Sequence, residues 1–226
     1  MTSAGTAEIV PIEHATGVVR WSDLVVYFDP TGSAGALAEH LAADLVLVTD
    51  IHSDHFSTST LAAVVGSSTS LIVPQAVAEQ LPGELRARAR ILVNGEKIEE
   101  KGLSITALPM YNLPDASNAD FHPKGRGNGY LLEKDGVRVY IAGDTAGTPE
   151  MRALTNVDIA LIPMNMPYTM SVEEAADAVL AFKPRTVYPY HYRGQDGLAD
   201  VEKFKQLVNT GDPSITVMLE DWYPQL

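Results

Sequence analysis

A chain of 226 residues with 46% apolar and 20% charged residues can fold around its own core, and it is too apolar for a disordered segment. Its formal net charge of -13 repels phosphate backbones and anionic lipid over most of the surface, which sets nucleic acid and membranes aside as partners. With no cysteine there are no disulfides, thiolate ligands or cysteine nucleophile, so any metal must be held by nitrogen and oxygen.

The opening MTSAGTAEIVPIEHATG has neither a basic leader nor an apolar h-region, and no apolar run approaches the length of a membrane span; the expected location is cytoplasmic. Short strands are predicted at AEIVPIE, GVVRW and LVVYFDP, the last closed by Asp29 and Pro30. A helical stretch, GALAEHLAA, precedes the apolar strand DLVLVTD, a histidine-rich loop, and a helix STSTLAAVVG capped by Ser57 or Thr58. SLIVP, ARILV and GLSITALP read as strands, with QAVAEQL helical between the first two. A long polar loop from Met110 to Asn128 has no apolar periodicity, and loops of that length in compact domains are functional or disordered. GYLLEKDG and VRVYIAGDT follow as a hairpin turning at Lys134 to Gly136. The last third alternates: strand VDIALIPM, helix SVEEAADAVLAF with a Ser171/Glu174 capping box, strand RTVYPYH, helix ADVEKFKQLV and strand SITVML. No composition shift marks a second unit, so residues 1–226 read as one domain.

Ligand-type residues gather at the C-terminal ends of predicted strands: Asp50, His52, Asp54 and His55 after LVLVT, Asp144 after VYIAG, and His191 after TVYPY. In open α/β layers, loops converge along that edge to form sites. In an extended loop His52 and Asp54 point the same way at i and i+2, and His55 adds a second imidazole. Mixed imidazole nitrogen and carboxylate oxygen suits zinc, manganese or iron, whereas an all-carboxylate shell would suit calcium or magnesium. Each residue alone has a plain structural reading: His-x-Asp-His as surface polarity capping a helix, Asp144 as a turn former, His191 as a packed core histidine, and His40 as part of a helix. Their conjunction at three strand ends fits a metal site better than three separate accidents.

In order and spacing these elements resemble the metallo-β-lactamase superfamily, whose signature is a His-x-His-x-Asp-His loop, a further histidine, a Gly-Asp pair and a last histidine, each after a strand. Within it, FDP, FHPKGRGNGYLLEKDGVRVYIAGDT, PMNMPYTMSVEEAADAV and YPYHYRG resemble the branch of metal-dependent hydrolases similar to the ascorbate-phosphate lactonases. The resemblance implies an α/β, four-layer αββα sandwich with a metal site along the sheet edge. It implies a second metal position on Asp54, His55 and His191, with Asp144 as bridging carboxylate. For the first position it implies Asp50 where the family has a histidine, then His52, and a third ligand from the loop before GYLLE: His122, with Asn112 as the alternative. Oxygen from Asp50 makes that position harder and more anionic, shifting preference from zinc toward manganese or iron, or weakening occupancy. The expected cofactor is one firmly bound divalent transition ion, with a second that depends on conditions.

His14 falls where related proteins place a histidine near the pocket, a hydrogen-bonded structural role being the alternative. Lys124, Arg126 and Arg193 are candidates for holding an anionic substrate group, with plain solvation as the alternative, and Asn112 and His14 join them as candidate substrate contacts. The expected reaction is hydrolysis of a small anionic ester or lactone by metal-bound hydroxide, with Asp54 or Asp144 orienting the water or relaying a proton. A phosphodiesterase or nuclease-type hydrolase, and a non-catalytic metal-binding member of the fold, are the alternatives. Homo-oligomerisation is left open.

Overall fold

Alternating apolar side chains build two facing sheets in the computed structural model, which describes residues 6–21, 23–32, 37 and 42–224. β1 (Glu8–Glu13), β2 (Thr16–Trp21) and β3 (Leu24–Phe28) form an antiparallel meander, and β4 (Leu45–Leu47), β5 (Ser70–Val73) and β6 (Ala89–Ile91) extend it in parallel beyond β3. The second sheet joins the antiparallel β7 (Lys97–Glu100), β8 (Leu103–Met110), β9 (Gly127–Lys134) and β10 (Val137–Ile141) to the parallel β11 (Ile159–Pro163) and β12 (Thr186–Tyr190). A two-stranded ribbon, β13 (Arg193–Gly194) and β14 (Gly197–Leu198), follows, and β15 (Thr216–Val217) closes the second sheet beside β12.

Period two divides the middle strands between two cores. Val26, Phe28, Leu45 and Leu47 enter the large cluster shared with the second sheet, while Val25, Tyr27, Val46 and Val48 turn to the outer face. There they meet Leu61 of α1 (Thr58–Val64), Val77 of α2 (Gln75–Ala78) and Leu85 of α3 (Gly83–Arg88). Met151 of α4 (Pro149–Arg152), Val179 and Phe182 of α5 (Val172–Phe182), and Phe204 and Val208 of α6 (Val201–Gly211) join the large cluster from the second sheet. The layers are therefore helix, sheet, sheet, helix, the αββα arrangement expected from the sequence.

Local chemistry sets the element ends. Ser171 accepts from Glu174 N while Glu174 returns a carboxylate to Ser171 N at 2.7 Å, a complete capping box on α5. Ser57, one of the two residues expected to cap α1, accepts from Thr60 N. β9 and β10 turn through Asp135 and Gly136, both at positive φ (52° and 78°), as a two-residue hairpin with native twist requires. The sequence reading did not anticipate β7, α3, α4 or the 3-10 turn Ala119–Phe121 inside the long polar loop. All are short, and β7 is an edge strand of charged residues whose pairing with β8, rather than its composition, makes it a strand. Most of the helix expected at 35–43, including His40, lies outside the described residues.

The two sheets close on each other directly beneath the loops that carry the ligand-type residues. Gly127, at the start of β9, and Gly143, after β10, pack against Met110 and Thr49; a Cβ on Gly127 would come 2.8 Å from Thr49 O, and Gly143 has a φ of +65°. Asn128 N donates across the gap to Thr49 O at 2.9 Å. Only glycine permits so close an approach, and it joins the ends of β4, β9 and β10 at one edge.

Candidate metal centre

The site residues follow the C-terminal ends of five strands: Asp29 after β3, Asp50 to His55 after β4, Asp144 after β10, Asn165 after β11 and His191 after β12. Three of the non-glycine residues with left-handed backbone are here: His14 (φ 54°), Asp29 (φ 46°) and His191 (φ 48°). Non-glycine residues in this region carry strain that surrounding contacts must hold, and such residues cluster at functional sites.

Hydrogen-bond partners decide which face of each imidazole is free. His55 is fully buried; its Nδ1 lies 2.7 Å from Asp29 Oδ2, while Asp29 also accepts from Thr49 N (2.7 Å) and Thr49 Oγ1 (2.6 Å). The Asp29 carboxylate fixes the Nδ1 proton and turns Nε2 inward, the arrangement that orients histidines on metals. Inward, His55 Nε2 faces His191 Nε2 at 3.1 Å and Asp144 Oδ2 at 3.4 Å, and His191 Nε2 is 3.1 Å from Asp144 Oδ1. His122 Nδ1 lies 3.2 Å from the Tyr168 carbonyl, which can only accept, so its proton is on Nδ1 and Nε2 points toward Asp144 Oδ2 at 3.1 Å. His122 Nε2 and Asp144 Oδ1 are buried yet make no hydrogen bond. Buried polar atoms are normally satisfied, and two imidazole nitrogens with a carboxylate, all within 4.8 Å, are a donor set that fits a divalent transition ion.

His14 approaches the cluster differently. The Asp54 carboxylate can only accept, so the neutral His14 ring donates from Nε2 and its Nδ1 accepts the phenol proton of Tyr223 at 2.7 Å, while Tyr223 Oη accepts the Arg193 amide (3.0 Å). The His14 proton then lies on Nε2, 3.3 Å from Asp54 Oδ2. His14 in this form is a donor to Asp54 rather than a lone-pair ligand, although His14, Asp54 and His191 also lie within 4.8 Å of one another. Asp54 Oδ2 is 3.5 Å from His191 Nε2, and its carboxylate is 37% exposed, open to the cavity where Asp144 is 4% exposed.

A third group, Asp50, His52 and His122, lies alongside. The fully buried Asp50 carboxylate receives His52 Nδ1 (2.8 Å), Arg126 Nε (3.1 Å on Oδ1) and Arg126 Nη2 (3.0 Å on Oδ2). Arg126 also donates to the Phe121 carbonyl. Asn112, the alternative third ligand, stands behind His122 and gives its amide protons to Asn118 O (2.8 Å) and Tyr168 O (2.7 Å), fixing the loop that carries the imidazole.

The electrostatics follow from burial and proximity. Burial alone would lower the His55 pKa, but the Asp144 and Asp29 carboxylates beside it hold it well above the ordinary histidine value. Burial alone would raise Asp144, and the His191 and His55 imidazoles hold it well below the carboxylate range. Asp54 is likewise lowered against its burial, by its His14 partner and by His55 and His191. For His14 burial wins and its pKa falls, so it is neutral at pH 7.

A cavity of about 280 Å³ opens on these groups, lined by His52, Ser53, Asp54, Phe121, His122, Asp144, Asn165 and Tyr168. None of Lys124, Arg126 and Arg193, the basic residues expected to hold an anionic substrate group, lines this cavity. Lys124 pairs with Glu150 at 2.6 Å, Arg126 is spent on Asp50, and the Arg193 guanidinium lies over the Tyr223 ring at 5.6 Å. Asn112 is likewise buried behind His122, outside the lining. Sequence reasoning missed the support role of Asp29 and the presence of Asn165, whose Nδ2 is 3.2 Å from His191 Nε2. Both follow buried strands, so the strand-end rule that selected Asp144 and His191 also points to them. Nothing in the local sequence marks Phe121 and Tyr168, whose rings meet edge to face at 5.2 Å in the cavity wall.

The sequence pattern of the beta-lactamase superfamily domain matches residues 8–191. The chain is 33% identical over 204 residues to a UPF0173 metal-dependent hydrolase of Thermococcus onnurineus, covering 86% of this chain and 88% of that protein. A solved structure of a Parabacteroides distasonis protein superposes with a TM-score of 0.84 at 31% identity, over 97% of this chain and 99% of that one. The metallo-beta-lactamase fold protein YhfI of Bacillus subtilis shares the fold at 13% identity, with a TM-score of 0.75 over 94% of this chain and 95% of its own.

Proposed function

The chain belongs to the beta-lactamase superfamily, and on that premise we propose that it is a metal-dependent hydrolase acting on a small ester or lactone. The observation that carries this reading is the buried triad of His55, Asp144 and His191, whose nitrogen and oxygen atoms face one another without hydrogen bonds to satisfy all of them. His55, Asp144 and His191 would hold the ion, with His122 and Asp54 beside them; zinc, manganese and iron all suit this donor set. When bound, such an ion polarises a substrate oxygen and makes hydroxide available at neutral pH.

The remaining work falls to the chain's own groups. Asp54 lines the cavity as a carboxylate kept ionised at neutral pH, placed to orient a water molecule and accept its proton. His14 Nε2 holds that carboxylate from behind, and Tyr223 fixes His14. Asn165 stands in the lining near His191, and Phe121 and Tyr168 supply apolar wall for an uncharged part of the substrate. The pairing of Lys124 and Arg126 with carboxylates favours an ester or lactone over a phosphodiester. The same reading takes residues 1–226 as one metallo-hydrolase domain.

The test is turnover of a panel of short lactones, aryl esters and bis-aryl phosphodiesters by protein stripped with chelator, then reloaded separately with manganese, zinc or iron. Metal-dependent ester or lactone turnover that Asp54→Asn reduces by about 100-fold or more, the scale of a general base, is the expected result. Turnover of phosphodiesters alone would replace the substrate class, and binding of metal without any turnover would leave a non-catalytic member of the fold.

A further inference from the structure

The group formed by Asp50, His52 and His122 has the residue types of a second cation site, yet its donor atoms are already committed. Both Asp50 oxygens receive Arg126, through Nε on Oδ1 and Nη2 on Oδ2, and Oδ2 also receives His52 Nδ1. The other nitrogen of His52, Nε2, is 3.4 Å from Arg126 Nη2. Only His122 Nε2 lacks a partner, and it lies nearer Asp144 Oδ2 (3.1 Å) than Asp50 Oδ2 (3.9 Å), so it leans to the His55 side. One guanidinium nitrogen thus contacts two of the three residues that a cation there would need.

The placement of Arg126 is built into the loop. Gly125, at φ +88°, and Gly127, packed against Thr49, flank it, and its Nη2 is anchored on the Phe121 carbonyl. A planar guanidinium matches a carboxylate with two parallel hydrogen bonds and does not lose its proton, so it is a permanent positive charge at this position.

We propose that Arg126 takes the place of a first metal ion, so that the chain binds a single divalent ion, on the His55, Asp144 and His191 side. The inference rests on the metal-centre reading above. It assigns Arg126 to positioning and charge balance at Asp50 rather than to substrate binding. It also gives a reason why this chain carries Asp50: a carboxylate can accept the two parallel hydrogen bonds of a guanidinium, and an imidazole cannot.

The experiment is metal stoichiometry. Chelator-stripped protein is titrated with manganese and with zinc by calorimetry, and bound metal per chain is measured by mass spectrometry after desalting, for wild type and Arg126→Met. One ion on wild type and two on Arg126→Met is the expected result. Should Arg126→Met lose the wild-type circular dichroism, the double variant D50H/R126M, which leaves no unpaired buried carboxylate, is read in its place by the same criterion. Two tight ions on wild type, or a single ion on the folded variant, would overturn the role of Arg126 and leave the metal-centre reading standing. No ion on any form would overturn the metal centre itself, and this inference with it.

Discussion

Asp29 shows how much a single buried carboxylate can decide. It is inaccessible, holds a left-handed backbone, and accepts from Thr49 N, Thr49 Oγ1 and His55 Nδ1, so it determines which nitrogen of His55 faces the cluster. Replacing an outer partner of this kind costs about 10- to 100-fold in metal affinity. Asp29→Asn is therefore expected to weaken manganese or zinc binding by that factor in a competition titration with a chelating dye, because an amide can turn a donor toward Nδ1 and release the ring. Unchanged affinity in the folded variant would mean that His55 is oriented without it.

Among the elements, α5 is the clearest case of a stability determinant separable from the site. Its capping box satisfies backbone donors at both Ser171 and Glu174, and its buried face, with Ala175, Ala178, Val179 and Phe182, closes one side of the large core. Ser171→Ala is expected to cost about 1 kcal/mol, a fall of about 2–4 °C in melting temperature for a chain of this size, with metal stoichiometry unchanged. Thermal unfolding followed by circular dichroism measures the first, and metal analysis the second. A loss of metal in the same variant would show that α5 and the strand ends are coupled.

For the molecule as a whole, metal binding and pH are linked through His55. In the metal-free chain its pKa is raised by Asp144 and Asp29 against burial, so protonated His55 contributes stability that is fully present below the unfolded-state pKa and is lost as pH rises through the folded value. A metal requires the neutral ring, so protons compete with it over that same range. Metal at about 100 times its dissociation constant adds about 2.7 kcal/mol, a rise of about 5–10 °C in melting temperature, at a pH where His55 is already neutral. The rise should shrink as pH falls, beginning above the ordinary histidine range, and calorimetry in buffers of different ionisation enthalpy should show proton release on binding. A metal-induced rise that stays constant down to pH 6 would contradict the assignment of His55 as a ligand.

The sequence by itself determined most strand positions, the capping box of α5, and the gathering of His and Asp at strand ends. These are readable because each depends on residues within a few positions of one another, where the period of a strand or helix fixes the geometry. Short polar elements such as β7 were not readable, since their structure comes from a neighbouring strand. The tertiary structure alone decided the partners: Asp29 for His55 at a separation of 26 residues, Arg126 for Asp50 at 76, and His191 for His55 at 136. An aspartate or arginine has the same identity in a ligand shell, an ion pair or solvent, and only the closing of the two sheets, with glycine at Gly127 and Gly143, fixes which groups come within reach. That is why Arg126 reads in the sequence as a free cation for a substrate, and in the fold as the charge that occupies Asp50.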